Sequence, residues 1–178
     1  YSQRDMDRDL WAMVRDSKKL SPARREAVYD FILDRYAVGV GRVSAEAIDR
    51  LNILQAAFLA MKEAIGEWRR VAGSEATFLI DGNTEIPHVS IAQRSIVGGD
   101  GQVKCIAAAS LVAKVTRDRE LDELARVFPA YGFDRHKGYG TREHMEALRR
   151  YGPCPEHRKS FAPVRKVVRE LRGYGAEI

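Results

Sequence analysis

Two carboxylates stand where metal-assisted phosphate chemistry would place them. Asp81 follows the apolar run Thr77-Phe78-Leu79-Ile80, and Asp100 follows Ser95-Ile96-Val97-Gly98-Gly99. Each reads as the end of a short strand, each is followed by glycine, and they lie 19 residues apart. If the strands are neighbours, both side chains converge at one end of a sheet, the place where open α/β sheets bind ligands. Carboxylates gathered without His or Cys suit hard, oxygen-seeking cations such as Mg2+ or Mn2+. Asp-Gly is also ordinary turn chemistry, so position alone leaves both readings open.

Basic groups supply a second kind of chemistry. Lys18 and Lys19 precede a helix start at Ser21, where a phosphate could sit, although local signals alone favour a polar turn with a serine cap. Lys114 and Arg117, three apart on one helix, share a face that meets either a nucleic-acid backbone or solvent. The stretch Arg135-His136-Lys137-Gly138-Tyr139-Gly140-Thr141 joins positive charge, a free backbone and one ring. Tyr139 beside such a loop can stack on a sugar or base, or simply pack on its neighbours. From Arg135 to Arg172 there are eleven Lys and Arg against four Asp and Glu, although the whole chain carries only +5. A basic C-terminal third suits phosphate backbones, and equally a solvated helical surface. His88, His136, His144 and His157 allow a further idea, metal-free cleavage of RNA through its own 2′-hydroxyl by two His and a Lys, with no pairing visible among them. There is no Walker-type phosphate loop and no G-x-S-x-G elbow.

These residues need a scaffold. Ser21-Pro22 caps and opens a helix whose stripe is Val28, Phe31, Ile32 and Tyr36. Ala37 to Val43 reads as a strand. Ser44 caps a long helix with Ile48, Leu51, Phe58, Met61, Ile65 and Trp68 near one face, ending at Gly66 or Gly73. Thr77–Ile80 and Ser95–Val97 are strands, the first apolar enough for burial on both faces. Val103 to Phe128 is a helix with an alanine-rich start. Thr141 caps a helix closed by Gly152, and Pro163 opens one closed by Gly173. Strands alternating with helices predict an α/β sheet, although three strands are few for so many helices.

The 178 residues, 45% apolar and 31% charged, fit one globular domain with a real core. No apolar run reaches membrane-spanning length, and the polar N-terminus is no signal peptide. Cys105, in the alanine-rich helix, reads as a core residue, and Cys154 lies in a loop between prolines. Nothing argues for a disulfide, so a reducing cytoplasm is the default, with no membrane and no obligate protein partner called for.

Taken in order, several segments resemble ribonuclease HII (type 2 ribonuclease H) from about Leu10 to Arg172. They are Asp16-Ser17-Lys18-Lys19-Leu20-Ser21, Leu79-Ile80-Asp81-Gly82-Asn83, Gly99-Asp100 and the run IAAASLVAKVTRD from Ile106 to Asp118. Tyr131-Gly132-Phe133, His136 to Thr141 with His144, and Arg158 to Val164 complete the set. The resemblance implies a ribonuclease H-like α/β fold, a mixed five-stranded sheet flanked by helices, with a C-terminal helical region. Residues 1–133 would be the catalytic region and 134–178 the basic helical region packed on the same domain. It implies an endonuclease that cuts RNA in RNA–DNA hybrids and at ribonucleotides embedded in duplex DNA, serving ribonucleotide excision in replication and repair. Two Mg2+ or Mn2+ ions would be held by four carboxylates, of which Asp81 matches the third and Asp100 the fourth, both catalytic and metal-ligating. Tyr139 matches the tyrosine that packs on the sugar at the RNA–DNA junction. Lys18 and Lys19 match lysines near the backbone, and Lys114, Arg117, His136 and Lys137 would add nucleic-acid contacts.

One departure matters. In the family an Asp-Glu pair and then Gly-Arg-Gly precede the segment that here starts at Asp16, and neither motif occurs. Asp5, Asp7 and Asp9 lie in a polar stretch without a preceding strand and are not taken as the missing pair. The expectation is an N-terminally shortened copy lacking the first strands, with weak Mg2+ affinity and little or no activity alone. The alternative reading is a nucleic-acid-binding module without catalysis.

Overall fold

Short polar side chains set the helix starts. The computed structural model describes residues 3–14, 20–73 and 75–174. Helix α1 covers Gln3–Met13, so Asp9 is helical. Ser21 accepts the Arg24 amide at 3.4 Å and Pro22 opens α2 (Pro22–Arg35). Ser44 likewise accepts the Ala47 amide at 3.2 Å and starts α3 (Ala45–Leu51). The one long helix expected after Ser44 is in fact two. Asn52 adopts φ +72°, and its Oδ1 accepts the Leu54 and Gln55 amides at 3.0 and 3.1 Å, starting α4 (Ile53–Ala72). Asparagine takes a positive φ more readily than most residues and is a good N-cap, so one residue stops a helix and begins the next. Helix α4 passes through Gly66 and stops before Gly73, which has φ +58°.

The chain forms two compact units, residues 1–41 with 61–116, and residues 42–60 with 117–178. In the first, β1 (Phe78–Asp81) and β2 (Gln93–Ile96) pair in parallel, with Phe78 opposite Gln93 and Asp81 opposite Ile96. They are the only paired strands among the described residues. The segment Ala37–Val43 is not a strand, because helix α4 takes the place of a neighbouring strand. The Val40 amide donates to the Glu67 carboxylate at 2.5 Å, and a Cβ on Gly39 would lie 2.0 Å from the Ala64 carbonyl oxygen. Nor is β1 buried on both faces: Ile80 is buried, Phe78 and Leu79 are half-buried, and Asp81 is exposed. The crossover 82–92 is anchored by buried Ile86, whose amide and carbonyl both bond to the Gln93 side chain at 2.9 and 3.0 Å.

Helices α5 (Gly99–Gln102) and α6 (Lys104–Val127) follow. Val28, Phe31 and Ile32 of α2 form a core with Ala107, Ala108, Leu111, Val112 and Val115 of α6. The alanines let the helices approach closely, and burying a leucine such as Leu111 is worth about 2 kcal/mol. Two expectations fail here. Cys105 is exposed, because it sits in the first turn of α6 before the buried stretch begins at Ile106. Tyr36 caps α2 outside the core and stacks on Trp11, ring centroids 5.2 Å apart.

In the second unit a 3-10 turn (Pro129–Tyr131), α7 (Phe133–His136), α8 (Arg142–Tyr151) and α9 (Ala162–Tyr174) follow α6. Thr141 caps α8 and Gly152 closes it, as expected, whereas α9 continues through Gly173. Tyr131, Phe133 and Cys154 make one buried cluster, and the Tyr131 hydroxyl donates to the Gly152 carbonyl at 2.7 Å. Leu148, Val164 and Val167 make another where α8 meets α9. Asp49 of α3 accepts the amides of Lys159 and Ser160 at 2.7 and 2.9 Å and the Ser160 hydroxyl at 2.5 Å. These bonds, the Ser160 hydroxyl foremost, hold its carboxyl below the usual carboxylate range.

Candidate functional site

Asp81 closes β1 with its side chain exposed. Its Oδ1 accepts the Gly99 amide at 2.8 Å, and the next residue is Asp100. The two acids are therefore brought to the same end of the strand pair, as their spacing suggested. Asp100, however, does not end a strand: β2 stops at Ile96, and Asp100 lies half-buried in the first turn of α5. Gly99 is buried, and a Cβ there would meet Ile106 Cδ1 at 2.5 Å and Asp81 Oδ1 at 3.4 Å, so any side chain at this position must displace the Ile106 tip. Oxygen-only donors of this kind fit Mg2+ or Mn2+. Two are fewer than such an ion takes, and no group of three or more His, Cys, Asp or Glu side chains able to hold a metal is found among the described residues. The residues present fit as part of a ligand set.

The second unit gathers the aromatic and basic candidates. Tyr139 is 62% exposed, between Gly138 at φ +75° and Gly140. The Arg117 guanidinium lies 5.9 Å from its ring centroid. Lys137, half-buried at φ +48°, pairs with Asp122, and Arg135 pairs with Glu143. Lys114, by contrast, belongs to the first unit, half-buried on α6. Lys18 and Lys19 lie outside the described residues.

The histidines correct the metal-free idea and supply what the sequence did not show. His136, His144 and His157 are each 7% exposed and lie together. His136 Nε2 donates to the Tyr131 carbonyl at 2.7 Å, and its Nδ1 accepts the Gly138 amide at 3.2 Å. Inside the protein, with both nitrogens engaged by backbone, that ring shapes the loop and does not face a strand of nucleic acid. His144 Nδ1 meets the Tyr139 carbonyl at 2.9 Å, and its Nε2 meets His157 Nε2 at 3.1 Å. His157 Nδ1 accepts the Cys154 amide at 3.1 Å, with the Cys154 sulfur 3.0 Å away. Burial pulls His144 below the usual histidine range. Burial first, then the neighbouring His144, pull His157 down to about 4, and burial pushes the Cys154 thiol up. Three buried rings whose nitrogens bond to backbone or to one another are not placed to reach a substrate hydroxyl. The signal for this cluster in sequence was only His144 on the first turn of a Thr141-capped helix, too local to find His157.

The whole chain resembles solved proteins of one kind. It matches the ribonuclease H2 from Pyrococcus horikoshii OT3 with a TM-score of 0.69 at 22% identity, over 96% of this chain and 86% of that one. It matches a structure of the PCNA:RNase HII complex from Archaeoglobus fulgidus at 0.63 and 26% identity, over 96% and 85%. The fold is thus the α/β architecture of ribonuclease H-like proteins. The family model of ribonuclease HII matches residues 2–164. The ribonuclease HII of Polynucleobacter asymbioticus is 50% identical over 163 residues, 87% of this chain and 80% of that protein. That of Parvibaculum lavamentivorans is 49% identical over 155 residues, 87% of this chain but 56% of that protein, so this chain spans little more than half of that relative. The chain belongs to the ribonuclease HII family, the type 2 ribonucleases H.

Proposed function

We propose that this chain is part of an endoribonuclease that cuts RNA in RNA–DNA hybrids and at ribonucleotides embedded in duplex DNA, leaving 5′-phosphate and 3′-hydroxyl ends. The observation that carries the reading is Asp81, presented at the end of β1 and tied to the residue before Asp100, in a chain of this family. Asp81 and Asp100 would be the ligands this chain offers to Mg2+ or Mn2+. A bound divalent cation pair supplies charge neutralisation and orientation for in-line displacement at a phosphodiester. The chain's own part is to hold two carboxylates beside one strand end and to present Tyr139 and Arg117 to the substrate. Tyr139 would lie on the sugar at the RNA–DNA junction, where the 2′-hydroxyl distinguishes RNA from DNA. Lys114 and Lys137, with Lys18 and Lys19, would add backbone contacts.

A second reading follows from the ligand count. The two carboxylates brought together among the described residues, with a basic C-terminal third, would bind such duplexes without cutting them. One experiment separates the two. The chain is incubated with Mg2+ and a DNA duplex holding one ribonucleotide. A nick 5′ to that nucleotide, lost in EDTA and in Asp81→Asn, supports the nuclease within this chain. A duplex bound but uncut supports binding alone, and cutting in EDTA with a cyclic phosphate end rejects both.

A further inference from the structure

The buried histidines are unused by the chemistry above, yet they end at the residue that reads the substrate. A carbonyl oxygen only accepts, so the proton at His144 lies on Nδ1, facing Tyr139, and His144 Nε2 must accept. His157 Nδ1 accepts the Cys154 amide, so its proton lies on Nε2 and is donated to His144. The bonds therefore run one way, from the Cys154 amide through His157 and His144 to the Tyr139 carbonyl. The opposite tautomer of either ring would set two donors, or two lone pairs, face to face at 3.1 Å.

The Tyr139 backbone lies between two glycines, Gly138 and Gly140, and the imidazoles bear on it from inside. Its ring is mostly exposed. Its amide donates to the His136 carbonyl at 2.9 Å, and the Gly138 amide to His136 Nδ1. The His136 ring in turn stacks on His144, centroids 4.3 Å apart and planes 11° apart. The Tyr139 carbonyl accepts the Thr141 amide at 2.8 Å as well, and the imidazoles add a second, directional bond to it from a buried loop, which apolar side chains packed here would not.

We propose that His144 and His157 are positioning residues for Tyr139: the hydrogen-bonded line from Cys154 through both imidazoles to the Tyr139 carbonyl fixes where its ring meets the substrate sugar. This rests on the reading of Tyr139 as the sugar contact.

The test is equilibrium binding of the 178-residue chain, in EDTA, to a DNA duplex with one ribonucleotide and to its all-DNA counterpart. Tyr139→Ala is expected to lower the preference for the ribonucleotide about tenfold. Asparagine places an amide N–H where His144 Nδ1 stands, whereas glutamine reaches toward His157 instead. His144→Asn should keep most of the preference and His144→Gln should lose it to the Tyr139→Ala level, with no further loss in the double variant. A merely structural role would move both His144 variants alike, in step with their melting temperatures, and would overturn the inference. Nitrogen NMR on the unaltered protein should find His144 protonated on Nδ1 and His157 on Nε2; the reverse tautomers also overturn it. If Tyr139→Ala keeps the preference, the sugar-contact reading fails and the inference falls with it. If only His144→Gln keeps it, the inference fails and the reading stands.

Discussion

Asp81 and Gly99 are joined by a 2.8 Å hydrogen bond that gives the candidate ligand a structural duty as well. Asp81→Asn keeps an oxygen in the same place and should leave stability within about 0.5 kcal/mol, whereas Asp81→Ala strands the Gly99 amide and should cost roughly 1 kcal/mol. In a chain that cuts, both variants should lose cleavage. Urea unfolding beside the nicking assay checks this, and equal stability of the two variants would show that the bond contributes nothing.

Gly99→Ala tests the packing of the same corner. The new methyl would meet Ile106 Cδ1 at 2.5 Å, the tip of a side chain that can turn away. The expected cost is about 1–3 kcal/mol, with part recovered in Gly99→Ala/Ile106→Val, where the clashing methyl is gone. Simple additivity of the two changes in thermal melts would contradict this account of the contact.

Gly39→Ala should be worse, because its neighbours cannot move aside. A Cβ there lies 2.0 Å from the Ala64 carbonyl oxygen and 2.6 Å from the Trp68 amide nitrogen, both backbone atoms of α4. Opening that approach would also strain the bond from Val40 to Glu67. A loss of more than about 3 kcal/mol is expected, read as a lower denaturation midpoint or as failure to fold at 37 °C.

What the sequence revealed and what it hid divide by range. Ser21, Ser44 and Thr141 were readable as caps because a cap bonds its own helix within three residues. Asp81 was readable at a strand end because Phe78 to Ile80 is apolar and Gly82 follows. Segment 37–43 misled because a strand exists only with a partner, and its amide at Val40 is taken by Glu67, 27 residues away. Asp100 was expected at a strand end, and only the fold shows the short helix between Ile96 and α6. His136, His144 and His157 looked unrelated because Lys137 and Gly138, and then Gly152, all at positive φ, turn the chain between them. The family resemblance reached the fold that residue patterns left short of strands, but it did not show where a histidine ring would point.

The imidazole line gives stability a pH dependence of definite sign. His157 is buried neutral, with its value lowered to about 4 from the ordinary 6.5 that an unfolded chain would show. Between those values the unfolded chain binds a proton that the folded chain refuses, so stability falls as pH drops through that window and is fully present above 6.5. The loss is on the order of 2 to 3 kcal/mol by pH 4. His144, lowered by the same burial, acts in the same direction. Urea midpoints between pH 7 and pH 4 should decline accordingly. His157→Leu, less stable at pH 7, should show a shallower decline, because a leucine has no proton to take up on unfolding. An unchanged slope in that variant would mean that groups elsewhere, and not this buried pair, set the acid sensitivity of the fold.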